Sequence, residues 1–359
     1  MIPALTRLAQ PLLFAFDPES AHGLSIAALK SGLPLAPCPR ADPKLHVKLA
    51  GLDLPNPLGM AAGYDKNGEV PDALLGIGFG FAEIGTVTPL PQSGNAKPRI
   101  FRLVRDGAVI NRLGFNNEGH AAAARRLAAR PQRGVVGVNI GANRDSPDRI
   151  ADYEAGIRTF APLASYLTVN ISSPNTPGLR SLQDREALAE LLARVTAARR
   201  EAASAPPILL KIAPDLSEAE LDDIAAELLD KAIDGLIVSN TTVSRSGLSD
   251  KSSASEAGGL SGRPLFARST AVLARMRQRL GPRFPIVGVG GVDSTETALE
   301  KMRAGADAVQ LYTGMIYGGP SLPGAIVTAM SRYVARENLG SIADIRDSAL
   351  AKWAAAPMG

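Results

Sequence analysis

The chain has 359 residues, 45% of them hydrophobic and 21% charged. That balance excludes a disordered protein and fits either one large α/β unit with an extension or two smaller domains. A net charge of +4 suits an anionic ligand or membrane surface, whereas 4% aromatics and no dense basic run argue against nucleic acid.

Residues 1–38 read as two short helices. Leu5, Leu8, Leu12 and Phe16 share one helical face, and Asp17-Pro18-Glu19 gives the second helix an N-cap, a first-position proline and an acid in its first turn. Ala21, Leu24 and Ala28 mark one face of that helix, Ile26, Leu29 and Leu33 another, and Gly32 is placed to end it. This is more apolar surface than two exposed helices need. It either packs on the main domain or faces lipid or an apolar ligand. No apolar stretch approaches the ~18 residues of a membrane span, and the N-terminus lacks the basic start and cleavage site of a signal peptide. The proline-rich stretch 39–55 reads as a linker. Cys38, just before it, is the only cysteine, so no intramolecular disulfide or cysteine-rich metal site is expected.

From residue 56 to 338 one pattern recurs: a short apolar run, a small or polar ending, then a helical segment. The runs span 57–63, 81–88, 134–141, 166–173, 207–214, 235–241, 285–291 and 308–314. Their near-continuous apolar character is that of buried parallel strands. Between them lie helical patterns, among them a capping box at Ser217 and Glu220, the series Leu188, Leu191, Leu192 and Val195, and segments at 297–304 and 323–334. Eight such units predict a (β/α)8 TIM barrel. An open doubly wound sheet is disfavoured, because Gly76-Ile77-Gly78-Phe79-Gly80 precedes a strand instead of following one. The run 99–115 alternates apolar and polar residues around Asp106-Gly107 and predicts a β-hairpin between the second and third units. The last segment, 339–359, is assigned no role.

Barrel chemistry belongs at the C-terminal ends of the strands. These ends offer lysines, amides and hydroxyls but no histidine; His22, His46 and His120 fall elsewhere and read as surface or cap residues. A histidine triad, a metal site and a carboxylate pair are therefore all disfavoured. The last two strand ends, at 288–294 and 312–320, are glycine-rich, which suits either a phosphate or a plain tight turn. Lys211, straight after an apolar run, requires an anionic partner or a lowered pKa. Asn139, Asn170, Asn175 and Asn240, joined by Asn111 from the hairpin, suit a planar ligand with several hydrogen-bonding edges, such as a uracil-like or isoalloxazine ring.

The strings AAGYDKNGE, INRLGFNNEG, VNISSPNTPGLR, KIAPDL, GGLSGRPL and GVGGVDS resemble those of the dihydroorotate dehydrogenase family. A serine at the base position and the two-helix extension point to its quinone-dependent class 2. The resemblance spans roughly residues 17–333. It implies one FMN per subunit, held by Ala62, Gly63, Tyr64, Asp65, Lys66, Thr86, Asn139, Asn170, Lys211, Ser239, Gly262, Gly291, Tyr312 and Thr313. It implies dihydroorotate contacts from Lys66, Asn111, Arg112, Leu113, Gly114, Phe115, Asn170, Asn175, Asn240 and Thr241, with Ser173 as the catalytic base. Tyr64 stands where Leu or Phe is more usual, and Ser239 where Thr is common. The implied activity is oxidation of (S)-dihydroorotate to orotate in pyrimidine biosynthesis, with a membrane quinone as acceptor. The N-terminal helices would hold the protein, expected to be a monomer, on the cytoplasmic face of the membrane and give the quinone access to FMN.

Overall fold

The structure, a computed structural model, describes residues 14–131, 133–250 and 253–358. Its strands are β1 (Val47–Leu49), β2 (Leu52–Leu54), β3 (Leu58–Met60), β4 (Phe81–Val87), β5 (Ile100–Leu103), β6 (Ala108–Asn111), β7 (Val135–Ile140), β8 (Tyr166–Asn170), β9 (Ile208–Ile212), β10 (Gly235–Val238), β11 (Gly259–Gly262), β12 (Ile286–Val289) and β13 (Ala308–Leu311). Eight of them close a barrel in the order β3-β4-β7-β8-β9-β10-β12-β13, every neighbouring pair parallel. These are the eight runs expected from the sequence. A parallel barrel strand is covered by helices outside and by packed side chains inside, which calls for apolar residues on both faces, and nearly every residue of these strands is buried.

The surrounding helices are α1 (Pro18–Lys30), α2 (Pro71–Gly76), α3 (Gly119–Ala129), α4 (Arg149–Phe160), α5 (Arg185–Glu201), α6 (Glu218–Asp230), α7 (Phe266–Leu280), α8 (Thr295–Arg303), α9 (Thr313–Gly318), α10 (Leu322–Arg336) and α11 (Leu350–Ala354). The Ser217–Glu220 capping box starts α6 as its sequence requires. Asp17 caps α1 by accepting from the backbone N–H groups of Glu19 and Ser20. The other N-terminal helix expected from Leu5, Leu8 and Leu12 lies outside the described residues.

Three departures from the sequence reading matter. The stretch read as a linker is folded: β1 and β2 pair as an antiparallel hairpin, and Leu45, Leu49 and Leu54 join the core. The hairpin of β5 and β6 is present, but β11, from the far side of the barrel, adds to β6 and makes a three-stranded sheet. The C-terminal segment is a strap on α7 and α8: Trp353 lies edge-on to Phe266 at 5.8 Å and donates its indole N–H to Glu300 at 2.9 Å.

Inside the barrel, glycine makes room for aromatic rings. Gly137 is in register with Glu83 on one side and Tyr166 on the other. A Cβ on Gly137 would lie 2.1 Å from Tyr166 Cζ. The ring therefore lies against bare backbone, which puts the phenol within 3.0 Å of Glu83. Gly137→Ala should push the ring out of place in a fully packed interior. We expect a loss of about 1–3 kcal/mol of stability, read as a lower denaturation midpoint; an unchanged midpoint would show that the ring has space to move.

Candidate active site

The strand ends and the three-stranded sheet enclose a cavity of about 650 Å³. Of the positions the sequence singled out, Ala62, Gly63, Tyr64, Lys66, Thr86, Asn111, Leu113, Gly114, Phe115, Asn170, Ser173, Asn175, Lys211, Ser239, Asn240, Thr241, Gly262, Gly291, Tyr312 and Thr313 all line it. Three others are placed differently. Asn139 lies one layer below, bonded to Glu83 and Thr86. Asp65 holds its own loop, accepting from the N–H groups of Glu69 and Val70 at 2.8 Å each. The Arg112 guanidinium pairs with Glu256 at 2.6 Å and stacks over Phe101.

The amides form one connected chain. Asn170 Nδ2 donates to Thr86 Oγ1 at 3.0 Å and to Asn139 Oδ1 at 3.1 Å. Its Oδ1 accepts from Ser172 Oγ at 2.9 Å and from Asn240 Nδ2 at 3.3 Å. A second cluster sits above it, where Asn175 Nδ2 donates to Asn111 Oδ1 at 3.2 Å. Ser173 is buried, and its Oγ accepts from the Asn175 N–H at 3.3 Å. Arg180 fastens the loop carrying Ser173, reaching the carbonyls of Ser172 and Thr241 and the carboxylate of Asp215, each at 3.1 Å.

Two polar groups on residues that line the cavity lack a hydrogen-bond partner. The Lys211 ammonium has no hydrogen bond among the described residues, and burial lowers its pKa while Glu83 pulls the other way. Gln310 also lines the cavity, and its Oε1 is buried and unbonded. Such groups call for a ligand that offers both acceptors and donors. At the glycine-rich end, Gly290 and Gly291 adopt positive φ, and a Cβ on Gly291 would meet Phe266 Cβ at 2.5 Å. Neither position carries a side chain of its own, which permits the close backbone approach that phosphate binding needs.

Helix α1 forms the other wall. Its buried Ile26 and Leu29 face the core, while Ala21, Leu24, Ser25 and Ala28 line the cavity. Both apolar faces are thus in use. His22, read from the sequence as a surface or cap residue, turns out to line the cavity with its Nε2 3.3 Å from Lys66 Nζ. Burial first, then the charge of Lys66, push its pKa down to about 3. The ring therefore stays neutral at ordinary pH and can accept from the ammonium. Lys66 itself is lowered to about 8, because burial outweighs the pull of Glu19. His120 is also buried, edge-on to Phe160. No strand-end signal marks His22; only its place on the inward side of an amphipathic helix points to the cavity.

A family model described as dihydroorotate dehydrogenase matches residues 44–334. The chain belongs to the dihydroorotate dehydrogenase family. It is an oxidoreductase of the quinone-dependent class. It is 70% identical over 355 residues to the dihydroorotate dehydrogenase (quinone) of Mesorhizobium japonicum, with 99% of each chain covered. It is 65% identical to the protein of that name from Chelativorans sp., over the whole of both chains. Among solved structures, a dihydroorotate dehydrogenase from Eimeria tenella in complex with ferulenol matches with a TM-score of 0.88 at 39% identity, covering 92% of this chain and 95% of that one. The full-length matches also take in the C-terminal strap, which the sequence motifs had left out.

Helix α1 is tied to the barrel mouth by ions. Arg99 pairs with Glu19 through both carboxylate oxygens, at 2.6 and 3.0 Å, and spans to the carbonyls of Ser93 and Asn95. The guanidinium is buried and holds the Glu19 carboxyl below its usual pKa. Arg99→Met should free α1 more than the barrel. We expect local opening of α1 to become easier by about 2 kcal/mol, seen as faster amide exchange in residues 18–30 with little change in the barrel strands. Equal acceleration in both would mean that the pair supports the whole fold instead.

Proposed function

We propose that the protein oxidises (S)-dihydroorotate to orotate, with one FMN as resident cofactor, Ser173 as the base and a membrane quinone as the final acceptor. The observation that carries this reading is the pairing of an unpartnered ammonium, Lys211, with an amide chain on one wall of a cavity whose far end is bare glycine backbone. The donor set fits FMN. Lys211 and Gln310 meet the polar edge of the ring, and Gly262, Gly290 and Gly291 leave backbone N–H groups for the phosphate.

When bound, FMN would supply a two-electron carrier between substrate and quinone. The chain's own residues do the remaining work. Lys211 offers a fixed positive charge where negative charge develops. Asn111, Asn170, Asn175 and Asn240 hold the substrate ring against the flavin plane, which is the positioning contribution. Lys66 neutralises the substrate carboxylate, and neutral His22 keeps its ammonium directed. Ser173 Oγ takes the proton from the ring carbon next to the one that is oxidised and gives up its own hydroxyl proton to water. The Asn175 N–H, already bonded to that oxygen, supports the charge that builds there.

Electrons leave on the α1 side. The apolar row of Ala21, Leu24 and Ala28 and the ring of Phe14 line the cavity there, a lining that suits a quinone. No helix among the described residues is long and apolar enough to cross a membrane. Phe16, Leu24 and Leu33 are exposed, which supports peripheral attachment to a membrane through the N-terminal segment; the reading takes the protein as a monomer on the cytoplasmic face.

Ser173→Ala should retain FMN and lose about 10²–10⁴-fold in the rate of flavin bleaching by dihydroorotate under anaerobic conditions. Bleaching at the wild-type rate would reject Ser173 as base. Leu24→Asp combined with Ala28→Asp should leave that bleaching intact and slow reoxidation by a quinone about tenfold or more. Reoxidation that stays fast would exclude this face as the entry route.

A further inference from the structure

Glu83 is the only charged residue in the β4 run FAEIGTV, and it is fully buried. A carboxylate in the middle of a barrel is costly unless donors meet it. Three do: Asn139 Nδ2 at 2.7 Å, Gln310 Nε2 at 2.9 Å and the Tyr166 hydroxyl at 3.0 Å. All three are neutral. The opposing charge is Lys211, buried on β9 in register with Asn170, whose amide is tied through Asn139 to Glu83; Glu83 favours the protonated form of that amine.

The bonds above Glu83 have a direction. The carboxylate accepts from all three donors, so Asn139 turns its Nδ2 downward and its Oδ1 toward the rim. That oxygen accepts from Thr86 Oγ1 at 2.6 Å and from Asn170 Nδ2 at 3.1 Å. Asn170, with its Nδ2 committed, presents Oδ1 to Ser172 and Asn240. Each amide is oriented by the one beneath it, and the first by Glu83.

We propose that Glu83 is a positioning residue of the reaction centre: its buried carboxylate sets the polarity of the amide chain that reaches Ser172 and Asn240, and it is the counter-charge of the Lys211 ammonium in the same interior. This rests on the FMN reading of the cavity. Among the titratable groups of the same cavity, Lys66 is lowered to about 8 and adds its own high-pH limb equally in every variant, and Tyr312 is raised by burial. Tyr166 is held protonated far above the usual phenol range by burial first and by the Glu83 charge second, so it adds no charge of its own.

Holoenzyme of the wild type, Glu83→Gln and Tyr166→Phe should be compared for bound FMN, for the pH profile of anaerobic flavin reduction by dihydroorotate, and for the flavin midpoint potential against pH without substrate. Lys211 acts in its protonated form. Losing its counter-charge lowers its pKa, so the high-pH limb must move to lower pH. E83Q should keep FMN and show that limb displaced by about one unit or more, roughly a tenfold slower reduction along it. Its midpoint potential should also fall more steeply with pH, because Lys211 then takes up a proton as the flavin is reduced. Y166F, which removes one donor from the carboxylate, should displace both in the same direction by less. An unmoved limb and slope in whichever variant folds would overturn the proposal. So would loss of FMN with an unchanged limb per bound flavin, which is the signature of a purely structural residue. A wild type that takes up no FMN would instead overturn the flavin reading itself, and this inference with it.

Discussion

A carboxylate inside a closed parallel barrel has to be met by donors, and that constraint organises everything above its midpoint. Glu83 is met by Asn139, Gln310 and Tyr166. Tyr166 reaches it only because Gly137 carries no side chain. Asn139 in turn engages Thr86 and Asn170, and those residues lie at the cavity surface. The packing of the lower barrel and the arrangement of the rim are one hydrogen-bonded problem. A change at a glycine deep in β7 is transmitted to the amides of β8.

The outer walls obey a different rule. They come from loops and from α1, which are held by a few specific ties and not by continuous burial. Arg99 collects Glu19 and the carbonyls of Ser93 and Asn95. Tyr64 donates its hydroxyl to Ser25 at 3.0 Å. Arg180 joins the loops after β8, β9 and β10. Elements held this way open more readily than core strands. The cavity therefore has a rigid base and a wall that can be displaced locally.

The barrel was legible because buried parallel strands leave long apolar runs, and most rim residues were legible because they terminate those runs. What escaped had weaker or misleading signals. β11 is GLSG, too short and too polar to read as a strand; its pairing with β6 is visible only in three dimensions. The hairpin at 47–54 was hidden by the prolines around it, although Leu49 and Leu54 pack into the core. Asn139, Asp65 and Arg112 occur in motif strings yet turn their side chains to structural partners, a distinction that spacing alone does not carry. Glu83 did leave a mark: a single acid inside an otherwise apolar run has to find donors. His22 left none, since its place depends on how α1 docks.

The strap at the C-terminus has an optical consequence. Trp353 is the only tryptophan in the chain, and its indole stands against Phe266, the residue on which Gly291 closes. All indole emission thus arises from one position, two contacts from the glycine-rich end of the cavity. The molecule thus carries a single intrinsic fluorophore, packed on the helix that backs that loop, so its emission reports on one place in the fold without an attached dye.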